Sequence, residues 1–317
     1  MKHIAKKILT LIITLFIVSL LAFLAFQIIP GDPTTKLLGT EATPEAVEAL
    51  RQELGLDQPV VVRYWQWLTG FLSGDFGTSY SYHMPVAEML GEKLVITAVL
   101  TLMSFVFTIV LSIPLGILAG SVKNKVLDWL STAFNQLVMS VPPFFLGILA
   151  CFLFGTVLRW FAPGDFVSYT QDWGAFLTYL ILPALSIALP RIAMTVKMLR
   201  GSILKEMGQD YVRTARSRGN RDGAILWRHV LKNAMVPVIT FLAVSAAEIM
   251  TGSIIIEQVF TIPGVGRLLL ASIFNRDFPV VQAIVVILAA WIVIVHFLAD
   301  LLCQWVDPRV RLDGRKA

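Results

Sequence analysis

The chain has 317 residues, 56% of them hydrophobic and only 15% charged, with a mean hydropathy of +0.75. That balance excludes an ordinary soluble globule, and the apolar residues fall in blocks long enough to cross a bilayer core. The net charge of +5 is small, so its placement along the chain says more than its sum. The two cysteines, Cys151 and Cys303, exclude a disulfide framework and offer no metal-ligand spacing.

The chain begins with Lys2, Lys6 and Lys7, followed by an apolar run from Ile8 to Ile29. That run is too long for a cleaved signal peptide, and Gln27-Ile28-Ile29-Pro30 lacks a small-residue cleavage site, so residues 1–29 are read as a retained first span. Residues 30–94 form the longest segment outside the membrane. Within it Pro44 to Arg51 predicts a short helix, with Thr43 as N-cap and Pro44 at the first helical position. Gly55 is expected to end it. Gly70 to Gly77 reads as turn-rich. The aromatic residues around it, Trp65, Trp67, Phe71 and Phe76, suit either the headgroup level or a small packed cap, and the cap is preferred.

Residues 95–306 hold the other five spans: Val95–Gly120, Thr132–Trp160, Ala175–Leu199, Ala234–Glu257 and Val280–Val306. Lipid cannot satisfy free backbone donors and acceptors, so all six must be helices. Pro114, Pro142-Pro143, Pro183 and Pro190 predict kinks or breaks. The fold class is therefore an all-α polytopic membrane protein with six transmembrane helices.

Orientation follows from the basic residues. With the N-terminus inside, the inner side holds Lys2, Lys6, Lys7, Lys123, Lys125, the dense run from Lys197 to Lys232, and Arg309, Arg311, Arg315 and Lys316. The outer side holds only Lys36, Arg51, Arg63, Lys93, Arg159, Arg267 and Arg276. Both termini, including the tail 307–317, are predicted to be cytoplasmic.

Several kinds of chemistry are missing from the pattern. There is no phosphate-binding loop of the G-x-x-x-x-G-K-[ST] type, no H-E-x-x-H and no G-x-S-x-G. The histidines His3, His83, His229 and His296 are scattered, so no catalytic or metal set is built from them. Charges within the spans are few. Arg191 and Glu248 have opposite sign and comparable depth, which predicts a structural ion pair, with a pathway-lining role as the alternative. Asp300 lies near the inner end of the last span.

The inner loop 201–232 carries the strongest local signal. Ile203 to Arg218 predicts an amphipathic helix, interrupted only by Gly208 and ended by Gly219, where glycine tolerates a left-handed turn. A second short helix, Arg221 to Leu231, follows, and Pro237 stands at the start of the next span. Two short helices joined at a glycine make a knob under the membrane. Basic charge alone fits anionic lipid equally well, but the small residues Ala215 and Gly219 leave room for packing against a partner.

The run Tyr211-Val212-Arg213-Thr214-Ala215-Arg216-Ser217-Arg218-Gly219, with Arg228-His229, Asn233-Ala234 and Pro237, resembles the coupling motif of ABC importer permeases. More narrowly it resembles the dipeptide, oligopeptide and nickel permease group, and its B-type subunit in the long segment after the first span. Further stretches match that group in order. They are Gly31-Asp32-Pro33, Leu54-Gly55-Leu56-Asp57-Gln58-Pro59 and Gly74-Asp75-Phe76-Gly77-Thr78-Ser79. Later come Phe260 to Gly266, Arg276 to Gln282, and Asp307-Pro308-Arg309-Val310-Arg311. The general pattern begins Glu-Ala-Ala where this chain has Arg213-Thr214-Ala215. The group often has a proline before Thr97, where this chain reads Glu92 to Ile96.

The resemblance implies the type I ABC importer permease fold in a bacterial or archaeal plasma membrane. It implies a second homologous permease subunit forming a heterodimer, two ABC ATPase subunits, an extracytoplasmic solute-binding protein, and lipid, but no nucleic acid. It implies no catalytic site and no cofactor in this chain, with ATP and Mg2+ used by the partner ATPase subunits. Tyr211, Arg213, Thr214, Ala215, Arg216, Gly219, Arg228, His229 and Pro237 would couple to an ATPase. Peptide is the expected solute, with nickel or a metal chelate as the alternative. An ion-coupled secondary transporter and an intramembrane enzyme are the rival classes, and neither finds its residues within the spans.

Overall fold

The computed structural model describes residues 2–28, 43–53, 57–122 and 124–306. Three of the readings above, on Gly31-Asp32-Pro33, Leu54-Gly55-Leu56 and the tail 307–317, lie outside the described residues, as do Lys36 and Lys123. Among the described residues the regular elements are helical, apart from one isolated antiparallel bridge between Thr78 and Pro85.

The helices in chain order are α1 (Lys2–Ile28), α2 (Pro44–Glu53), α3 (Val60–Ser73), α4 (Val86–Ser121), α5 (Lys125–Ser140) and α6 (Pro143–Ala150). A π-helical stretch, Cys151–Val157, extends α6. Then follow α7 (Trp173–Met207), α8 (Asp210–Ser217), α9 (Asp222–Ile225), α10 (Leu231–Val259), α11 (Val265–Asn275) and α12 (Phe278–Val306). Among the described residues five helical stretches are long and apolar enough to span a membrane, and the pair Asp128–Ser140 and Pro143–Val157 makes a sixth when taken as one bent span.

That pair is bent by 97°. Pro142 caps α6 in an extended conformation, and Pro143 opens it. The residue before a proline is driven out of the α region, so two consecutive prolines end one helix and start another. Pro114, Pro183, Pro190 and Pro237 instead lie inside continuous helices. There the loss of a single backbone donor is absorbed by surrounding turns and neighbouring helices. Helix edges also differ from the apolar blocks. The helix expected from Val95 starts at Val86 and runs through Glu88, Glu92 and Lys93, because hydropathy marks only the apolar part of a helix. Likewise α3 continues through Gly70, so the turn is confined to Gly74–Gly77, both in left-handed conformation.

The chain divides into two compact units. The first comprises residues 1–97 and 263–294. In it α1 packs on α3: Ser19 and Tyr64 share a buried hydrogen bond of 2.9 Å, and Phe23 meets the Tyr64 and Trp67 rings at 5.4 and 5.7 Å. Trp67, Phe71 and Phe76 continue the ring contacts, at 5.4 and 4.8 Å, so these three form a packed cluster, whereas Trp65 stays 52% exposed. Thr43 caps α2 as expected, accepting the Ala46 N–H at 3.3 Å. The Thr97 hydroxyl accepts the Val265 N–H at 2.9 Å, which satisfies one free donor at the start of α11.

The second unit comprises residues 98–262 and 295–317, and α7 lies at its centre against α5, α6 and α10. Asp172 caps α7 by accepting the Gly174 and Ala175 N–H groups. Close approach is secured by glycines. A Cβ on Gly116 would stand 2.7 Å from Leu199, and one on Gly147 would stand 3.1 Å from both Ile256 and Phe260. Tyr179 donates to the Phe260 carbonyl at 2.6 Å, which ties α7 to the end of α10.

Candidate functional site: the knob after α7

The inner loop is built from the end of α7 downward. The expected helix from Ile203 to Arg218 is in fact two helices. Met207 ends α7, Gly208 and Gln209 turn the chain, and α8 starts at Asp210. Glycine is the weakest ordinary helix former, and Gln209 adopts an extended conformation (ψ 155°), so the break falls there. The left-handed turn at Gly219 (φ 83°) does close α8. Its N–H donates to the Arg216 carbonyl at 2.9 Å, and the Asn220 backbone and side-chain amides both donate to the Ala215 carbonyl, at 3.3 and 3.1 Å. The last carbonyls of α8 are thus satisfied in the manner of a glycine cap.

The second short helix also differs from expectation. It starts at Asp222, passes into a π-helical stretch Leu226–Val230, and runs into α10 without a gap. Arg228 and His229 are exposed on that π stretch, and Pro237 lies two turns further on, exposed on α10.

One face of α8 holds the knob to the membrane part. Val212 and Ala215, one turn apart, are buried in a cluster with Leu199, Ile203, Ile225, Leu226, Val230 and Ala234. Burying a side chain the size of Val212 favours this docking by about 1.5–3 kcal/mol. Ala215 therefore packs mostly inward, where the sequence suggested a surface for a partner; its smallness serves the approach of α8 to its own chain. The outward face carries Arg213, Thr214, Arg216 and Ser217. Arg216 donates to Asp222 at 3.0 Å, which joins α8 to α9, and Arg213 makes an exposed pair with Asp210 at 3.4 Å.

Tyr211, Thr214, Ala215, Arg218, Asn220 and His229 line an open cavity of about 320 Å³. The structure thus gathers four residues singled out in the sequence with Arg218 and Asn220. Arg213, Arg216, Gly219, Arg228 and Pro237 do not line it. Asn220 lies outside the sequence-based set, although an asparagine directly after a helix-ending glycine is well suited to bond back to the helix. The Tyr211 hydroxyl donates to Glu206 at 2.7 Å. Partial burial, and then that carboxylate, push its pKa above the ordinary 10.0, while a bond with the Asn233 side chain pulls the other way. The phenol is therefore a donor at neutral pH. The cavity presents a guanidinium, an imidazole and amide groups, a donor-rich recess suited to acidic or carbonyl groups of a docking protein.

Higher in the second unit, Arg191 of α7 and Glu248 of α10 form an ion pair, Nη1 to Oε2. Arg200 pairs with Asp128 of α5 at 2.5 Å, and Lys197 donates to Gln136 at 3.1 Å. Among the described residues no group of three or more His, Cys, Asp or Glu side chains is placed to hold a metal ion.

Apolar helices of spanning length, two of them joined by a helical knob, describe a membrane-embedded chain. Residues 112–312 match the family described as binding-protein-dependent transport system inner membrane component, and residues 1–114 match the N-terminal region of such membrane components. The chain belongs to this family. It is a multi-pass membrane protein and the permease part of a transport system, not its catalytic subunit. It is similar along its whole length to a putative peptide transport system permease of Brucella abortus (strain 2308), with 39% identity over 310 residues covering 98% of this chain and 99% of the other. A probable peptide ABC transporter permease of Sinorhizobium fredii is 32% identical over 309 residues, with the same coverage. The glutathione transport system permease of Escherichia coli (strain K12) is 34% identical over 311 residues, again covering 98% and 99%. These matches displace the secondary-transporter and intramembrane-enzyme readings.

Proposed function

We propose that this chain forms half of the translocation path of an ATP-driven importer of peptides, paired with a second, homologous permease. Peptide is favoured over nickel or a metal chelate because relatives matched over nearly their full length carry peptide or glutathione in their names. The observation that carries the coupling role is the build of the knob. One face of α8 is fixed to the chain's own core through Val212 and Ala215, and the other face and the adjoining cavity are open.

An ATPase subunit gripping that open side would move α7 and α10 with it, since α8 and α9 follow and precede those helices with short connections. Closure of two ATPase subunits around ATP would draw the knobs together and shift the path from inward-facing to outward-facing, a bistable element biased from outside the chain. ATP and Mg2+ belong to the partners, and this chain binds neither. Residues 30–94 and the segment from Glu257 to Pro279 lie outside, where a solute-binding protein docks, and both termini are cytoplasmic.

Reconstitution of the full complex with its binding protein in vesicles tests this. Trialanine enters when ATP is present and ion gradients are collapsed, and the purified chain alone hydrolyses no ATP. Uptake driven by an ion gradient without ATP contradicts the proposal.

A further inference from the structure

The open faces of two of the membrane helices, α4 and α10, differ in kind. On α4 between Val95 and Leu118 the exposed positions are Val95, Ala98, Leu102, Val106, Val110, Leu111, Pro114, Leu115 and Leu118, all apolar and suited to lipid. On α10 the exposed positions recur at three- and four-residue spacing and include Thr240, Glu248, Thr251 and Gln258. Polar groups on an open helix face within a bilayer are costly and point to water or a polar partner. Glu248 and its partner Arg191 are both far from the ends of their helices, yet their side chains remain 47% and 29% exposed. A pair serving only to join α7 to α10 would be expected between the helices and covered by them. This one has an open side.

We propose that the open side of the Arg191–Glu248 pair lines the translocation path and holds the charged ends of a passing peptide. The guanidinium takes the C-terminal carboxylate and the Glu248 carboxylate takes the N-terminal ammonium. A peptide is a zwitterion, and moving it through a narrow path strips water from both ends. The pair opens as the peptide enters, each side chain turning to the peptide end of opposite charge in place of water, and the guanidinium fork matches a carboxylate geometrically. When no peptide is present the two side chains neutralise each other, so neither charge is stranded. The proposal rests on the peptide reading given above and adds the residues that meet the solute.

The test uses Thr251→Cys, on the same open face as Glu248 and outside the pair, with Cys151→Ala and Cys303→Ala removing the native thiols. The full complex is reconstituted, and the thiol is probed with a membrane-impermeant cationic methanethiosulfonate. The expected result is labelling that trialanine slows and that acetyl-trialanine amide, lacking both charges, does not. Arg191→Gln and Glu248→Gln each raise the trialanine concentration needed for protection by about tenfold or more, as expected for a lost charge-assisted hydrogen bond. Absence of labelling in every nucleotide state would place the stripe against lipid or the second permease and overturn the proposal. So would labelling that trialanine leaves unchanged. Uptake of trialanine by the unaltered complex is measured alongside. If that uptake occurs and protection does not, only this inference falls; if the complex does not carry trialanine at all, the peptide reading falls with it.

Discussion

Ser79 donates its hydroxyl to the carboxylate of Asp277, Oγ to Oδ2 at 2.5 Å, across nearly two hundred residues of chain. The same carboxylate accepts the Tyr80 and Ser81 N–H groups at 3.0 and 3.2 Å, and Asp277 is wholly buried. Asp277 therefore joins the Gly74–Ser79 motif to the Arg276–Gln282 motif within the first unit. Replacing Asp277 by alanine leaves three donors without their acceptor, at about 1–3 kcal/mol for each that water does not reach. We expect Asp277→Ala to lower the unfolding temperature of the purified protein and to speed amide hydrogen exchange at Tyr80 and Ser81. Ser79→Ala removes one donor and should have a smaller effect on both.

Gly219 and Ala215 are close in sequence but should fail differently. A side chain at Gly219 meets nothing within 4 Å, so Gly219→Glu carries only the backbone strain of a left-handed residue, about 1–2 kcal/mol. That variant should insert and assemble, and the complex containing it should continue to hydrolyse ATP but lose most solute uptake. Ala215→Leu overfills the cluster around Val212 and Ile225, at about 1–3 kcal/mol, and should lower thermal stability before any effect on a partner. Melting curves and paired uptake and hydrolysis rates separate the two.

Tyr211 supplies a pH signature. Its folded pKa lies above that of the unfolded chain, so the folded state keeps a proton that the unfolded state loses above about pH 10. Its contribution to docking of α8 is therefore complete below about pH 10 and is lost as pH rises through the folded pKa. Tyr211→Phe should remove this alkaline component and the bond to Glu206 together, which a pH series of melting temperatures will register.

The glycines of α4 and α7 give a pair with opposite signs. In Gly116→Ala the new Cβ would lie 2.7 Å from Cδ2 and 3.0 Å from Cβ of Leu199, which is fully buried and cannot move aside. A loss of about 1–3 kcal/mol is expected. Gly201→Ala adds a Cβ that touches nothing, and higher helix propensity should leave stability unchanged or raise it by up to about 1 kcal/mol. Thermal unfolding in detergent measures both.

Much of this was legible in the residues, and the limits have physical causes. Apolar run length gave the spans because lipid demands it, and Pro142-Pro143 and Gly219 acted through backbone rules that depend on one or two residues. Thr43 was legible for the same reason. The break at Gly208 has no unambiguous mark in the sequence, since a single glycine is tolerated inside a helix when neighbours hold it, as at Gly116. The π stretch at Leu226–Val230 has no periodic signature. The union of Ser79 with Asp277 is a long-range pairing, and neither motif carries a mark naming its partner. The inward packing of Ala215 is not legible in the sequence, because smallness alone does not reveal which of two surfaces comes close.

The central claim, that the knob grips an ATP-hydrolysing partner, is tested most directly by a photo-crosslinking residue at Ser217 on the outward face of α8. In the assembled complex the account predicts an adduct with an ATPase subunit, with a yield that changes when ATP is bound. No adduct with that subunit, or labelling of this position only from the outside of the cell, would contradict it.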